Sequence, residues 1–409
     1  MRRVLIHDYG AYSFPLDLSE ELAARGNGVL HLCHQDIGHP RSMLLSPRTQ
    51  GLTVREVRYD YDKYNLAAKP FHDHRYGCAA AVLIRDFKPH LVISSNTPLN
   101  AQFVIQRATR TLGATFVYWI QDIISEGIHV ALARRNRWLA RIGRATFGAL
   151  EKRLLRGSDF VVAASPDFLP HLNHCGVRAT RIRVIDNWAR LADISPVPQD
   201  NPWSRAHGLA GKPCVIYSGT LGLKHDPHSF LRIARILNQQ SLATFVVVAE
   251  GPGADWLKRE FAREMLPRSV VLPLQPYSEL PLVLGSAAIL FSSVSPAASR
   301  FCFPSKTLSY LCSGRPIVFV SPPGTHLARR LGEAGAATVV PPDSPGEVAR
   351  IILALLRNDE LASSLAAGAL RFAHSQFPIG PIADQFESTF ALAGCTPPLS
   401  PSKAGAATP

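Results

Sequence analysis

The sequence predicts an α/β protein made of two doubly wound parallel-sheet domains that face each other across a cleft. Three observations support this: a length of 409 residues, strand–helix alternation in both halves, and a Pro- and Ser-rich break between them. A chain this long exceeds one ordinary hydrophobic core, so two domains are expected. Strands that alternate with helices form parallel sheets, which bind ligands beyond the carboxyl ends of their strands.

The first domain is predicted at 1–188. It opens with an apolar strand at 4–7, a loop at 8–14 and a helix that ends at Gly26, the residue type that most often follows a helix. Further strands are predicted at 29–33, 91–94, 115–120, 160–164 and 182–185, with one helix that ends near Lys88 and another at 100–112.

Residues 189–213 lack periodicity and are predicted to connect the domains. The second domain is predicted at 214–375, with strands at 214–217, 245–249, 270–272, 288–292 and 316–320 and helices at 229–238, 255–265, 279–285 and 306–312. A helix at 376–395 is a candidate to cross back to the first domain. The tail at 396–409 is expected to be disordered.

Composition restricts the class of partner. A formal net charge of +13 favours nucleic acid, acidic phospholipid or nucleotide phosphates. Nucleic acid is disfavoured because no recognition motif accompanies the charge.

Seven dispersed cysteines predict reduced thiols in a cytosolic protein, and no apolar run reaches the roughly 20 residues that span a bilayer. We therefore expect a cytoplasmic protein without a signal peptide, either soluble or peripheral to a membrane.

A glycine-containing loop follows the first strand of the second domain, in VIYSGTLGLKHD at 215–226. Gly219 and Gly222 would let backbone amides approach an anion closely, and Lys224 would supply a charge. The Gly-Lys-Ser/Thr ending of a P-loop is missing. The pattern also fits an ordinary strand–helix turn that carries a surface lysine.

A second motif, FCFPSKTLSYLCSGRPIV at 301–318, predicts a helix capped by Ser305. Lys306 in its first turn opposes the helix dipole at a cost of roughly 0.3–1 kcal/mol, unless an anion binds there. Diphosphate binding and a solvated lysine both remain open. VVVAEGPGADW at 246–256 adds a third loop at the same edge of the sheet.

Residues 131–156 combine many arginines with Trp138, Leu139 and Ile142. This pattern is typical of an amphipathic helix on an anionic membrane leaflet. The alternative is a helix packed on the sheet with a solvated arginine face.

Six motifs taken together resemble those of the retaining glycosyltransferases of family four. They are YSGTLG with Lys224, FVVVAEGPG, PLQPYSELP, FPSKTLSYLCSGRPIV, YWIQDIIS and RIRVIDNW. Those enzymes have the GT-B fold of two facing Rossmann-like domains. The nearer match is the bacterial branch that builds exopolysaccharide, capsule or O-antigen. The resemblance implies a hexosyltransferase-type enzyme that moves a sugar from a nucleotide-sugar donor to a polyprenyl-linked or oligosaccharide acceptor, as in lipopolysaccharide synthesis. It would act at the inner face of the plasma membrane, without metal or cofactor.

The resemblance also implies site residues. Lys224, Lys306 and Asp122 would be catalytic, and Asp122 would orient an acceptor hydroxyl or the donor sugar. The implied donor-binding residues are Gly219, Thr220, Glu250, Gly251, Tyr277, Pro304, Ser305, Thr307 and Ser309, and those on the acceptor side are Gly10 and Gln121. The implied mechanism is front-face displacement, in which the leaving diphosphate helps to deprotonate the acceptor hydroxyl.

The chain departs from the family pattern at several positions. Phe301 and Ser309 stand where many members carry two glutamates, and Gln121 corresponds to an acceptor-loop histidine. These departures favour altered donor recognition. A GT-B nucleotide-sugar epimerase, and a catalytically silent partner that recruits another transferase to the membrane, remain alternatives.

Overall fold

The structure is a computed structural model that describes residues 1–34, 49–57, 68–133, 136–222 and 226–392. Lys224 and the predicted tail at 396–409 lie outside these ranges. Within them the chain forms two parallel sheets flanked by helices. The predicted α/β class, with two doubly wound domains, is confirmed.

The first sheet has seven parallel strands in the order β3-β2-β1-β4-β5-β6-β7. The strands are β1 (Arg3–Asp8), β2 (Gly28–His34), β3 (Leu52–Val57), β4 (Leu91–Ser95), β5 (Thr115–Ile120), β6 (Phe160–Ala163) and β7 (Ile182–Val184). The helices are α1 (Ser13–Ala24), α2 (Lys69–Phe87), α3 (Leu99–Thr111), α4 (Ile124–Ala133), α5 (Arg137–Gly157) and α6 (Leu169–His174). The order reverses between β1 and β4, which opens a crevice at their carboxyl ends.

The second sheet has six parallel strands in the order β10-β9-β8-β11-β12-β13, and its order reverses between β8 and β11. The strands are β8 (Cys214–Ser218), β9 (Thr244–Val248), β10 (Ser269–Leu272), β11 (Ile289–Ser293), β12 (Ile317–Val320) and β13 (Thr338–Val340). The helices are α7 (Pro202–Ala206), in the connecting segment, then α8 (Pro227–Gln240), α9 (Pro252–Arg263), α10 (Leu280–Gly285), α11 (Ser305–Leu311), α12 (His326–Glu333), α13 (Pro345–Arg357), α14 (Asp359–Gln376) and α15 (Ile379–Leu392).

The central strands are buried along almost their whole length because helices cover both faces of each sheet. In β5 every residue from Phe116 to Ile120 is almost fully buried, and β8 is buried throughout. The edge strand β3 alternates between buried and exposed positions, and the sequence prediction missed it. The loops that follow the strands are therefore attached to buried, well-packed strand ends.

The basic segment at 131–156 is two helices, so the single amphipathic helix predicted there is wrong. The side chain of Asn136 accepts hydrogen bonds from the backbone N–H groups of Trp138 and Leu139, and thereby caps α5. Gly143 allows α4 and α5 to pack closely, since a Cβ there would lie 2.5 Å from Leu132 Cδ1. The result is a helical hairpin on the first domain.

Helix α15 packs against the first domain. Its Asp384 and Glu387 bind the guanidinium of Arg25, at the end of α1, at 2.6 and 2.7 Å. The ring of Phe386 meets those of Trp119 and Trp188 edge to face. The chain therefore returns from the second domain to the first. In the described part of the chain, no helix combines the length and hydropathy that a membrane span requires.

Candidate active site

Two glycine loops meet at the carboxyl ends of β8 and β9. Gly219 has a φ of 137° and Gly251 a φ of 106°, a range that favours glycine. Backbone hydrogen bonds join the loops: the N–H of Leu221 donates to the carbonyl of Glu250 at 2.9 Å, and that of Gly253 to the carbonyl of Leu221 at 3.1 Å. The two loops therefore form one rigid surface at the switch point of the second sheet.

Lys306 lies across the first of these loops. A Cβ atom built on Gly219 would be 2.2 Å from Cε of Lys306, so the stem of the lysine occupies the space that the glycine leaves. The ammonium group donates hydrogen bonds to the carbonyl of Thr220 at 2.9 Å and to the hydroxyl of Tyr217 at 3.0 Å. A positive charge is thus held directly against the loop after β8.

Helix α11 is anchored to the end of β8 by Tyr310. The buried hydroxyl accepts the N–H of Ser218 at 2.7 Å and donates to its carbonyl at 2.9 Å. Pro304 occupies the capping position of α11 and Ser305 is its first residue, so the predicted Ser305 cap is wrong. The anchor keeps the amino end of α11, and with it Lys306, beside Gly219.

Three side chains in 301–309 differ in their burial and in what they contact. The hydroxyl of Thr307 is fully buried and bonded to Ser292 at 2.8 Å, so a donor would meet only its backbone. Phe301 is buried and its ring lies over Gly127 of α4, 3.5 Å from the position of a Cβ there. Ser309 is half-buried. The two positions that carry glutamates in many family-four enzymes thus present no charge.

Asp122, which follows β5, contacts the second domain directly. Its Oδ1 accepts the backbone N–H of Phe303 at 3.2 Å, and the N–H of Ile123 donates to the carbonyl of Phe301 at 2.8 Å. Asp122 and Cys302 form an isolated antiparallel bridge. The predicted acceptor-side aspartate therefore lies against the segment that leads into α11.

The two residues predicted on the acceptor side serve the packing of the first domain. Gln121 is buried, and its Oε1 accepts a hydrogen bond from the side-chain amide of Asn187. Gly10 is also buried, and its N–H donates to Asp8 at 3.1 Å. A Cβ on Gly10 would lie 2.1 Å from the ring of Tyr12, so this glycine makes room for that ring.

Tyr277, predicted to flank the nucleotide, lies at a second contact between the domains. Its hydroxyl is 2.9 Å from Ser13 Oγ of α1 and 3.0 Å from Oδ2 of Asp193 in the connecting segment. Burial and the nearby Asp193 carboxylate raise the pKa of Tyr277 above its usual value. The hydroxyl is therefore a link between the domains.

Buried titratable groups line the end of β1. Burial raises the pKa of Asp8 to about 7, although hydrogen bonds from the N–H groups of Tyr12 and Gly10 oppose the shift. Burial, together with His31 and His34, lowers the pKa of His7 to about 3, so His7 is neutral near pH 7. Across the ranges that the structure covers, no three His, Cys, Asp or Glu side chains are grouped to hold a metal ion.

The structure brings five of the predicted residues into one cluster, namely Gly219, Thr220, Gly251, Ser305 and Lys306. Glu250 and Pro304 belong to the same loops, and Asp122 reaches them through Phe303. The hydrogen bonds described for Gln121, Gly10 and Tyr277 are made to residues outside this cluster. The sequence prediction missed Tyr217 and Tyr310, because a tyrosine in an apolar stretch gives no signal beyond core packing.

Comparison with known families matches both domains. Residues 10–188 match the glycosyl transferase 4-like domain, and residues 212–358 match the glycosyl transferases group 1 domain. The gap between the two matches falls in the connecting segment. The chain thus carries two glycosyltransferase-family domains in the GT-B fold. That fold accounts for the two parallel sheets.

The chain is similar to a protein of Pseudomonas aeruginosa named "Probable glycosyltransferase WbjE", with 20% identity over 264 residues. That match covers 64% of this chain and 65% of the relative, just under two thirds of its length. Among solved structures, sucrose-phosphate synthase from Thermosynechococcus elongatus has a TM-score of 0.73 at 15% identity, covering 96% of this chain and 99% of that one. Anabaena HepE, solved with UDP and glucose, has a TM-score of 0.70 at 17% identity, covering 96% and 100%. At these identities the structural likeness shows the shared fold.

Proposed function

We propose that this GT-B glycosyltransferase moves a sugar from a nucleotide-sugar donor, with retention of configuration, to a lipid-linked glycan acceptor in the assembly of a bacterial surface polysaccharide. The observation that carries the proposal is the position of Lys306, whose ammonium lies on the Gly219–Thr220 loop at the switch point of the second sheet. Ligands of open α/β sheets bind at such switch points. HepE, which shares the fold, was solved with UDP and glucose.

The leaving diphosphate would bind between the loop after β8 and the start of α11. Lys306 would turn from the carbonyl of Thr220 to the phosphate oxygens, and Lys224 would add a second charge from the same loop. Fixed cations and backbone amides stabilise the charge that develops on the leaving group, which is often the largest contribution to catalysis. The acceptor hydroxyl would pass its proton to the departing diphosphate on the same face of the sugar, so the protein would supply position and charge.

Donor recognition would differ from that of relatives with paired glutamates. Phe301 is buried against Gly127, and Ser309 offers a neutral hydroxyl. A neutral site removes the charged acceptors that would bind a sugar hydroxyl and the ribose. This supports an altered donor preference, and the base and sugar of the donor would be identified by screening.

The membrane contact would be made by the hairpin of α4 and α5. Trp138, Leu139 and Ile142 are exposed to 72%, 51% and 58%, on a helix that also exposes Arg137 and Arg141. Large exposed apolar side chains among arginines suit the interface of an anionic leaflet. Such a surface would hold the enzyme near a polyprenyl-linked acceptor.

The experiment that tests this proposal is a thermal-shift screen of the full chain against UDP-, GDP-, ADP-, CMP- and dTDP-linked sugars. A ligand that binds only the native state raises the melting temperature, and at a given concentration a tighter ligand raises it more. We expect one nucleotide class to stabilise the protein, and its sugar to be transferred to a lipid-linked acceptor. No stabilisation by any donor would overturn the proposal. Conversion of the donor with no acceptor present would indicate an epimerase instead.

A further inference from the structure

One of the contacts between the two domains is a short one that we call the seam, defined as residues 122–123 of the first domain and 301–303 of the second. The seam consists of the Asp122 carboxylate bound to the N–H of Phe303 at 3.2 Å, the Ile123 N–H bound to the carbonyl of Phe301 at 2.8 Å, and the bridge between Asp122 and Cys302. A carboxylate that accepts a backbone N–H makes a charge-assisted bond, roughly twice as strong as a neutral one.

The seam leads directly into the donor-side cluster, which is the group formed by Gly219, Thr220, Gly251, Ser305 and Lys306. Phe303 is followed by Pro304, whose ring restricts the backbone, and Pro304 caps α11. Lys306 is three residues beyond the N–H that Asp122 holds, and its stem crosses Gly219. The backbone has little conformational freedom between Phe303 and Lys306. Fixing the position of Phe303 therefore also fixes that of Lys306.

Packing on the other side of the seam strengthens the same constraint. The ring of Phe301 is buried over Gly127 of α4, one helical turn after Ile123. Another contact between the domains, where Asp186 binds His326 at 3.3 Å and also Arg330, engages α12 instead. Of these two contacts, only the seam holds the backbone that enters α11.

We infer that Asp122 is a positioning residue, which acts through the N–H of Phe303 to fix the start of α11 and to hold Lys306 over Gly219. The relative position of the two domains and the geometry of the diphosphate site are thereby coupled. This inference rests on the proposed donor site. Asp122 belongs to the first domain, the proposed acceptor side, but it would act on the proposed donor site in the second domain.

The hydrogen bond itself is tested by amide hydrogen exchange on the full chain, without any ligand. Asp122→Ala should speed exchange at the Phe303 amide about tenfold or more, because a bond to a charged acceptor is lost. Asp122→Asn keeps an oxygen acceptor and should restore most of the protection. The matched control is Asp159→Ala, which removes a carboxylate that accepts the N–H of Phe116 at 2.8 Å within the first domain. It should leave exchange at Phe303 unchanged.

The consequence for the donor site is tested with UDP, GDP and ADP by calorimetry, followed by donor KM and kcat. Asp122→Ala should weaken binding of the preferred nucleotide about tenfold, and Asp122→Asn by no more than about threefold. Unchanged exchange or unchanged nucleotide affinity in Asp122→Ala would overturn the inference. So would an Asp122→Asn variant that binds nucleotide normally but is as slow as Asp122→Ala, since the charge would then act on the reacting sugar. If no nucleotide binds the wild type, the donor site itself fails, and exchange at Phe303 still reports the seam separately.

Discussion

The ammonium group of Lys306 donates a hydrogen bond to the backbone carbonyl of Thr220 at 2.9 Å, across 86 positions of sequence. The contact requires Gly219 between them, because any side chain there would overlap the lysine stem. Two segments that are separate in the sequence, the loop after β8 and the first turn of α11, thus share one cation. This cation is the group that the proposed donor diphosphate would meet.

Replacing Lys306 by alanine should lower turnover on the order of a hundredfold, because a fixed charge opposite the leaving group is lost. Stability should change by only about 1 kcal/mol, the usual net contribution of a hydrogen bond in a partly exposed position. Initial rates and thermal melts measure the two effects. Lys212→Ala is the matched control, because that ammonium also donates to a backbone carbonyl, of Gly208 at 2.7 Å, far from the loop.

Lys224→Ala should show the same pattern of lost turnover with retained stability. Lys224 lies outside the described residues, so this expectation comes from its place in the glycine loop and from the family resemblance. The measurement is again kcat beside the melting temperature. Wild-type activity in both lysine variants would contradict the proposed role of the cluster.

Gly219→Ala should destabilise the protein by about 1–3 kcal/mol, because its φ of 137° disfavours a side chain and Lys306 fills the space. Donor affinity should fall with it, since the lysine must move. Denaturant unfolding and nucleotide titration measure the two effects. Gly222→Ala is the control: that glycine has no positive φ, and the nearest described atom to its added Cβ is Thr220 Cγ2 at 3.9 Å. Equal stability of the two variants would count against the packing of Lys306 on the loop.

The exposed face of α5 should bind vesicles that contain phosphatidylglycerol and not vesicles of phosphatidylcholine alone. Arg137→Ser and Arg141→Ser should each weaken this binding about fivefold, since each basic residue near an anionic surface contributes about 1 kcal/mol. Trp138→Ser should weaken it by loss of apolar contact, and added salt should weaken it in the wild type. Co-sedimentation measures all three effects. Arg259→Ser, an exposed arginine of α9, serves as the control, and an equal loss there would indicate a nonspecific charge effect.

Asp8 should make stability fall as the pH rises from about 4 to about 7. Burial raises its folded pKa to about 7, above the unfolded value near 3.8, so the folded state binds the proton more tightly in this window. The stability contributed by protonated Asp8 is complete below pH 4 and is lost as the pH rises through 7. Asp8→Asn cannot ionise, so the stability of the wild type relative to this variant should fall between pH 5 and pH 8. The measurement is the free energy of unfolding of the wild type and of Asp8→Asn as a function of pH. If the two curves stay parallel across this range, the pKa of Asp8 is not raised by folding.

Much of the fold followed from sequence because buried parallel strands are continuous apolar runs. The strand around Phe116 and the one that begins at Cys214 are predicted within a residue or so. Strand β3 was missed because this edge strand is not a continuous apolar run: Thr53 and Arg55 are exposed between less exposed neighbours. The break at Asn136 was missed because the arginines and leucines on either side keep helical spacing, and only the cap reveals the turn.

The glycine loops and Lys306 could be picked out from the sequence, because glycine and lysine carry local signals. The contacts between domains could not be, because nothing local in the sequence pairs Asp122 with Phe303, or Tyr277 with Ser13. Thr307 shows the same limit: a hydroxyl in a helix start suggests a ligand contact, but here it is bonded to Ser292 in the interior.

The most direct measurement is a crystal structure with the nucleoside diphosphate that gives the largest thermal shift. We expect its phosphate oxygens about 2.7–3.2 Å from the Lys306 ammonium and from the backbone N–H groups of the Gly219–Thr220 loop. Lys306 should then have released the carbonyl of Thr220. A diphosphate bound elsewhere, with Lys306 still on Thr220, would contradict the proposed function.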